Sequence, residues 1–326
     1  MVVYLDVDSE YMEGMMNQPL AVILGAGPVG LTAGSLFGQR GVAVRYVTRS
    51  GRPVPGAESV AADVSDAAAL ESAAAGATIL VHAVGIPYQD WVKGFPPIQA
   101  AVLRVAEKTG AVVVFAENLY SYSASMGHLT ESSPEVPPTK KGELRLSLST
   151  QWLEAQRAGR IKGVSVRASD YFGPGATRSP NSHFGARFFP RFEAGKPVAF
   201  LGDPDAQHSF TYLPDYARAL VDVALDPGSW GRVWIAPSIG PTTARTVANL
   251  LAAEASRPVK VGRLPSGMLK LLGLFNPAIK EVVEMLYQFD RDFTVDASAF
   301  ETRFGWKATD LSLAVKETWA AHNLKP

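Results

Sequence analysis

From Leu20 to Gly34 the chain reads Leu-Ala-Val-Ile-Leu-Gly-Ala-Gly-Pro-Val-Gly-Leu-Thr-Ala-Gly, and few folds accommodate that order. The apolar run Ala21 to Leu24 predicts a buried strand. It breaks at Gly25-Ala26-Gly27, and Pro28 opens a helix, because a fixed φ and a missing N–H cost nothing in a first helical turn. A strand turning into a helix through Gly-x-Gly-x-x-Gly is a dinucleotide-binding arrangement. Gly25 allows the tight turn, Gly27 lets a pyrophosphate approach the backbone, and Gly30 lets the helix lie close to the sheet. The first helical turn, Pro28-Val29-Gly30, presents unpaired N–H groups and the positive end of the helix dipole to phosphate oxygens. Without its flanking strand and helix the motif would fit an empty glycine turn equally well.

The next strand narrows the nucleotide. The helix ends at Gly41, and Val42 to Thr48 is a second strand, after which sites for NAD usually carry an acid for the ribose hydroxyls. No acid occurs between Gly41 and Ala57; Arg45, Arg49 and Arg52 stand there instead. A guanidinium forks well onto a 2′-phosphate, so the expected cofactor is NADP(H), with Arg49 and Ser50 as contacts and NAD(H) as the second choice. The same arginines also suit a solvated loop.

Strands and helices then alternate. Strands are expected at Glu58 to Val64, Thr78 to Gly85, Ala111 to Ala116 and Gly163 to Ser169; helices are expected from the Asp66 cap to Ala75, from Pro97 to Thr109 and from Lys140 to Ala158. This spacing predicts βαβ units and a doubly wound parallel sheet of the Rossmann type, whose sites lie at the carboxyl ends of the strands. The residues in question are Gly85 to Tyr88 and Glu117 to Tyr122. Asp170 to Asp205 is rich in glycine and proline and reads as lid or substrate-binding material. Further helices are expected at Pro214 to Leu225 and Thr243 to Ala255, with Val233 to Ala236 a strand; the apolar segment Met268 to Phe289 is helical.

Composition excludes several classes. Lys+Arg and Asp+Glu are equal at 31 each, so no global field favours nucleic acid or an anionic membrane, and the expected partner is a small-molecule substrate. There is no cysteine, hence no disulfide, thiolate metal site or cysteine nucleophile. The five histidines lack ligand spacing, and no metal is expected. Residues 1–18 carry acids among methionines, unlike a signal peptide; they are expected to be a flexible extension, with Met15 or Met16 as an alternative start, and the setting to be cytoplasmic. No apolar run reaches the length of about 20 residues that crosses a bilayer.

Several later segments agree with one another. Arg167-Ala-Ser-Asp-Tyr-Phe-Gly-Pro-Gly resembles the Arg-x-x-Asn-x-Tyr-Gly-Pro segment of the extended short-chain dehydrogenase/reductases, the NAD(P)-dependent sugar epimerases and dehydratases, and especially their atypical members. His208-Ser-Phe-Thr-Tyr-Leu-Pro-Asp is similar to that family's Arg-Asp-Phe-Val-His-Val-Asp-Asp strand, and Phe304-Gly-Trp-Lys-Ala-Thr-Asp-Leu to its closing turn. The resemblance spans roughly residues 20 to 322. It implies that Asp63 and Val64 meet the adenine, and that Ala83, Val84 and Gly85 back the ribose and nicotinamide.

The resemblance fails at the family's catalytic Tyr-x-x-x-Lys. Counting back from Arg167 by the family's spacing reaches Lys141-Gly-Glu-Leu-Arg145, so Lys141 stands for the tyrosine and Arg145 for the lysine. The Ser/Thr at the end of the fifth strand falls at Glu117-Asn118. An arginine can hold a ribose, and a lysine in a dry pocket can have its pKa lowered enough to move protons. Tyr122, with Asn118, is the other candidate donor. Two readings stay open: an NADP(H)-dependent oxidoreductase or epimerase-like enzyme with a non-standard proton relay, or a cofactor-binding sensor or scaffold without turnover. A lyase or isomerase reusing the fold without a nucleotide is a third. The expected organisation is a dinucleotide-binding part over 19–169, completed by about 207–236, and a smaller, mostly helical substrate-binding part over 170–206 and 237–326, in a monomer or homodimer.

Overall fold

The computed structural model describes residues 18–123 and 125–324. The N-terminal extension expected over 1–18 therefore lies, except for Gln18, outside the described residues. Seven strands form the main sheet: β1 (Leu20–Leu24), β2 (Ala43–Thr48), β3 (Glu58–Ala61), β4 (Ile79–His82), β5 (Val112–Asn118), β6 (Lys162–Ala168) and β7 (Val233–Ile235). All pair in parallel, in the order β7-β6-β5-β4-β1-β2-β3. The order reverses between β1 and β4, and the crevice at their carboxyl ends is where ligands bind in such sheets.

The central strands carry continuous apolar runs because both of their faces are covered. Helices α1 (Pro28–Gln39), α2 (Ala67–Ala73), α3 (Trp91–Thr109), α4 (Lys140–Arg157) and α5 (Leu213–Leu225) supply the cover. On one face Phe37 of α1 and Tyr216, Leu220 and Val223 of α5 pack on Ile23, Val81 and Val114. On the other, Leu70, Val102, Val105 and Trp152 of α2, α3 and α4 pack on Val22, Leu80 and Val113. Asp66 caps α2 as the sequence indicates, accepting from the N–H groups of Ala68 and Ala69.

Helix α3 departs from expectation by starting at Trp91 rather than Pro97, with Pro96 and Pro97 inside it. Tertiary anchors set that start: the Trp91 indole donates to the Ile86 carbonyl at 2.9 Å, and its ring packs edge-on to Phe95.

Beyond β7 lie α6 (Ala244–Glu254), α7 (Ser266–Gly273), α8 (Pro277–Val283), α9 (Ser298–Phe304) and α10 (Leu311–Asn323). Between these helices run three small sheets that a mostly helical reading omits. Tyr171–Phe172 pairs with His208–Tyr212, which pairs with Ile239–Thr242; Val198–Leu201 pairs with Val261–Leu264; His128–Leu129 pairs with Thr294–Val295. Phenylalanines 172, 184, 188, 189, 192, 200 and 210 build a separate core there with α6 and α10. No described helix is long and apolar enough to cross a membrane.

Candidate active site

The glycine turn fixes the floor of the crevice. Gly25 has φ +103°, and a Cβ there would lie 2.8 Å from the Ala83 carbonyl oxygen; a Cβ on Gly30 would lie 2.0 Å from the carbonyl of Gly25. Both glycines are demanded by backbone packing, which brings β1, α1 and the end of β4 together. Gly27 differs: its φ is −80° and a Cβ would meet nothing within 4 Å. The space above Gly27 is open, no side chain caps α1, and Pro28 is at its start. The Val29 and Gly30 N–H groups belong to that first turn, the dipole-positive end of α1. Gly85, past the end of β4, is exposed, and a Cβ there would likewise meet nothing within 4 Å, while Ala83 and Val84 behind it are half-buried.

At the end of β2, three arginines separate into two kinds. Arg45 is structural: its Nε meets Glu58 at 2.6 Å and its Nη1 donates to the carbonyls of Ala73 and Ala75. Arg49, Ser50 and Arg52 are exposed. Asp63, past β3, accepts from the backbone and hydroxyl of Ser65, which hold its carboxyl below the usual range with a small contribution from Arg49; Val64 beside it is buried.

Lys141 and Arg145 share a face of α4, one turn apart. Lys141 is 3 % exposed, and its ammonium is held by both Glu281 and Glu284, the latter also accepting from the Lys141 backbone N–H at 3.2 Å. Burial disfavours the charge, but the two carboxylates outweigh it and raise the pKa. The lowered pKa that proton work by Lys141 would need is thus replaced by a raised one, because α8 and the turn after it bring two acids that lie 140 and 143 residues away in sequence. Arg145 has the opposite surroundings. Its guanidinium lies over the rings of Trp91 at 4.4 Å and Phe95 at 4.2 Å, and its buried Nε has no hydrogen-bond partner. Burial pulls its pKa down, with Glu117 the main counterweight. Behind it, burial and then the Arg145 charge push His82 down to about 3, so this imidazole is neutral.

Asn118 and Tyr122 do not meet at a common point. Asn118 Oδ1 accepts from the Tyr120 N–H at 3.2 Å. Tyr122 is 1 % exposed among Leu119, Leu129, Ile235 and Phe293, with the Arg167 guanidinium 4.8 Å from its ring, and burial raises its pKa. Arg167 in turn bonds Glu135 at 2.6 Å, Glu117 at 3.4 Å and Ser149 at 2.9 Å, closing a buried network under the loop after β5.

The structure also brings together residues that lie in the stretches marked by the sequence, or near them, but carry no assigned role there. Tyr88 and Tyr120 share a hydroxyl–hydroxyl hydrogen bond of 2.7 Å beside Lys141, whose Nζ is 5.2 Å from the Tyr88 ring centre. Asp170 accepts from or pairs with His208 at 3.0 Å and His183 at 3.6 Å. Only position could have drawn attention to Tyr88 and Tyr120, since both follow strands at the carboxyl edge. No cluster of three or more metal-binding side chains occurs among the described residues.

Solved structures share this architecture. The dTDP-glucose 4,6-dehydratase of Bacillus anthracis, in complex with NAD, matches with a TM-score of 0.73 at 15% identity, covering 94% of this chain and 97% of that one. The UDP-glucose 4-epimerase of Thermotoga maritima, solved with UDP-glucose, gives 0.74 at 15% over 93% and 98%. The UDP-glucuronic acid 4-epimerase of Bacillus cereus, solved with UDP-glucuronic acid and NAD, gives 0.74 at 16% over 93% and 98%. At these identities the likeness is one of fold. No curated protein matches the sequence. The model of the NAD dependent epimerase/dehydratase family, however, matches residues 21–232, from the first residues of β1 to the threshold of β7. With well over half of its length in that match, the chain belongs to the NAD dependent epimerase/dehydratase family, within the short-chain dehydrogenase/reductases.

Proposed function

We propose that the chain is an NADP(H)-dependent oxidoreductase or epimerase-like enzyme acting on a small organic substrate. Arg145 is the observation that carries this reading: a guanidinium at the carboxyl ends of β4 and β5, stacked on Trp91 and Phe95, with a buried Nε left without a partner. No hydrogen bond or ion pair holds this guanidinium among the described residues, so its terminal nitrogens are left to donate to the ribose of a bound nucleotide. The open space above Gly27 and the uncapped start of α1 fit a pyrophosphate in the same crevice. Asp63 and Val64 would border the adenine, and the exposed Arg49 and Ser50 would meet a 2′-phosphate. When bound, the nicotinamide supplies a hydride donor or acceptor; the protein orients it and the substrate.

Fluorescence titration with NADPH and NADH tests the assignment. Arg145→Met should weaken both cofactors, whereas Arg49→Ala should weaken NADPH by about tenfold more than NADH, the loss of one charge-assisted contact. Equal losses on Arg49→Ala would refute the 2′-phosphate contact. A second reading, cofactor binding without turnover, is favoured by one observation: Glu281 and Glu284 hold Lys141 in the place of the family's tyrosine. It predicts NADPH binding with no hydride transfer to any of a panel of carbonyl and nucleotide-sugar compounds.

A further inference from the structure

We propose that the Tyr88–Tyr120 hydroxyl pair is the proton-donating subsite of this chain, and that it takes the oxygen of a small carbonyl compound. The inference rests on the cofactor-dependent reading above and assigns the proton to residues other than Lys141 and Tyr122. Tyr88 follows β4 and Tyr120 follows β5, two neighbouring strands, so both rings stand at the carboxyl edge of the sheet. Their hydroxyls are 2.7 Å apart, and neither has another hydrogen-bonding partner among the described residues. In such a pair one hydroxyl donates to the other, and the acceptor's own proton is left for a third group.

Access and rigidity distinguish this pair from Tyr122. Tyr88 and Tyr120 are half-buried, whereas Tyr122 is sealed at 1 % exposure. Trp91 holds both rings, edge-on to Tyr88 at 5.0 Å and stacked on Tyr120 at 5.9 Å, and the same indole carries Arg145 on its face. Asn118 fixes the Tyr120 backbone and is a positioning residue. Lys141, in the place of the family's tyrosine, is occupied by its two glutamates, and the phenol beside it is Tyr88. Burial raises the pKa of both phenols, that of Tyr120 well above the usual value, so both carry their protons at neutral pH.

The step balances as a carbonyl reduction. A bound reduced nicotinamide would supply the hydride to the substrate carbon; the chain's own part is to give the phenolic proton to the carbonyl oxygen as the C=O π pair moves to that oxygen and the tyrosine O–H bond breaks. The second hydroxyl passes its proton to the phenolate, and water restores the pair.

Two measurements test the assignment, the first independent of turnover. 4-Nitrophenol binds as its phenolate where hydrogen-bond donors await an oxyanion, and its visible absorbance reports the ionised form. The wild-type protein without cofactor should bind the phenolate; Tyr88→Phe or Tyr120→Phe, which keep the ring packing, should bind it at least about tenfold more weakly. The same variants should keep NADPH affinity within about threefold, while at least one loses about 100-fold or more in kcat for NADPH-dependent reduction of an aromatic diketone. Wild-type protein that ignores the phenolate, or two Phe variants that bind it and turn over like wild type, would overturn the proposal. Absence of NADPH binding in the wild type would instead strike the cofactor reading, leaving phenolate binding to stand or fall separately.

Discussion

Replacing Lys141 by methionine removes the charge and keeps most of the volume of a side chain that is 4 % exposed. Each Lys–Glu contact at about 4 Å and an effective dielectric near 20 amounts to about 4 kcal/mol of attraction before desolvation is subtracted. Removing one partner of a fully buried pair costs about 3–5 kcal/mol. Here the carboxylates are only partly buried, Glu281 31% and Glu284 22% exposed, so they rehydrate when the lysine is gone. The bond from the Lys141 backbone to Glu284 also survives the substitution. The expected loss is therefore smaller, about 1–3 kcal/mol, or about 3 °C in Tm for each 2 kcal/mol in a chain of this size. Urea unfolding at several pH values is the assay. Because the folded pKa of Lys141 is raised above the unfolded value of about 10.4, the contribution is complete below that pH and declines only as the pH climbs through the folded value. The gap between wild type and Lys141→Met should thus be constant from about pH 7 to pH 9 and close above about 10.4. A loss under about 0.5 kcal/mol, or a gap that closes by pH 9, would refute the ion-pair account and return Lys141 to candidacy as a free base.

Gly27→Ala should fold with stability within about 1 kcal/mol of wild type, since its φ is ordinary and its Cβ meets nothing, yet bind NADPH at least about tenfold more weakly. Gly25→Ala, at φ +103° and 2.8 Å from a carbonyl, should cost about 1–3 kcal/mol in urea unfolding; the two glycines behaving alike in both assays would be wrong for this site. His82, pushed down to about 3 by burial and then by Arg145, has a folded pKa below the unfolded value of about 6.5. Protonation therefore favours the unfolded chain, and this residue's contribution falls by up to about 1.4 kcal/mol per unit as pH drops from about 6.5 toward 3. His82→Gln should flatten that limb of the stability profile, and an unchanged slope would show that His82 is solvated.

What could be read in the sequence was what neighbouring residues decide. The order of β1, the glycine turn and α1 is local, as is the Asp66 cap, and both were legible. So was the parallel sheet, whose central strands announce themselves by apolar runs and whose strands alternate with helices. The start of α3 was not, because Trp91 is anchored by the Ile86 carbonyl and by ring packing rather than by a capping residue. At the site, Lys141 and Arg145 were found by spacing, but their opposite electrostatic fates depend on partners elsewhere in the chain: Glu281 and Glu284 beyond α7 for one, the α3 aromatics for the other. The Tyr88–Tyr120 bond joins two loops whose proximity only the pairing of β4 with β5 creates.

The core of the main sheet is also finished by the far end of the chain. Phe300 of α9 is wholly buried in the core shared by α1 and α5, and Phe304 and Trp306 pack against it. Arg303 clasps Asp226, the Trp306 indole donates to Asp222, and Thr309 donates through both its N–H and its hydroxyl to the buried Asp215. During synthesis, the glycine turn leaves the ribosome early, but Phe300, which completes the core on one face of its sheet, arrives about 275 residues later. Until then the nascent chain holds α5 incompletely covered, and a stop codon between β7 and Phe300 would release a chain whose central sheet has every strand and lacks these aromatics of its core.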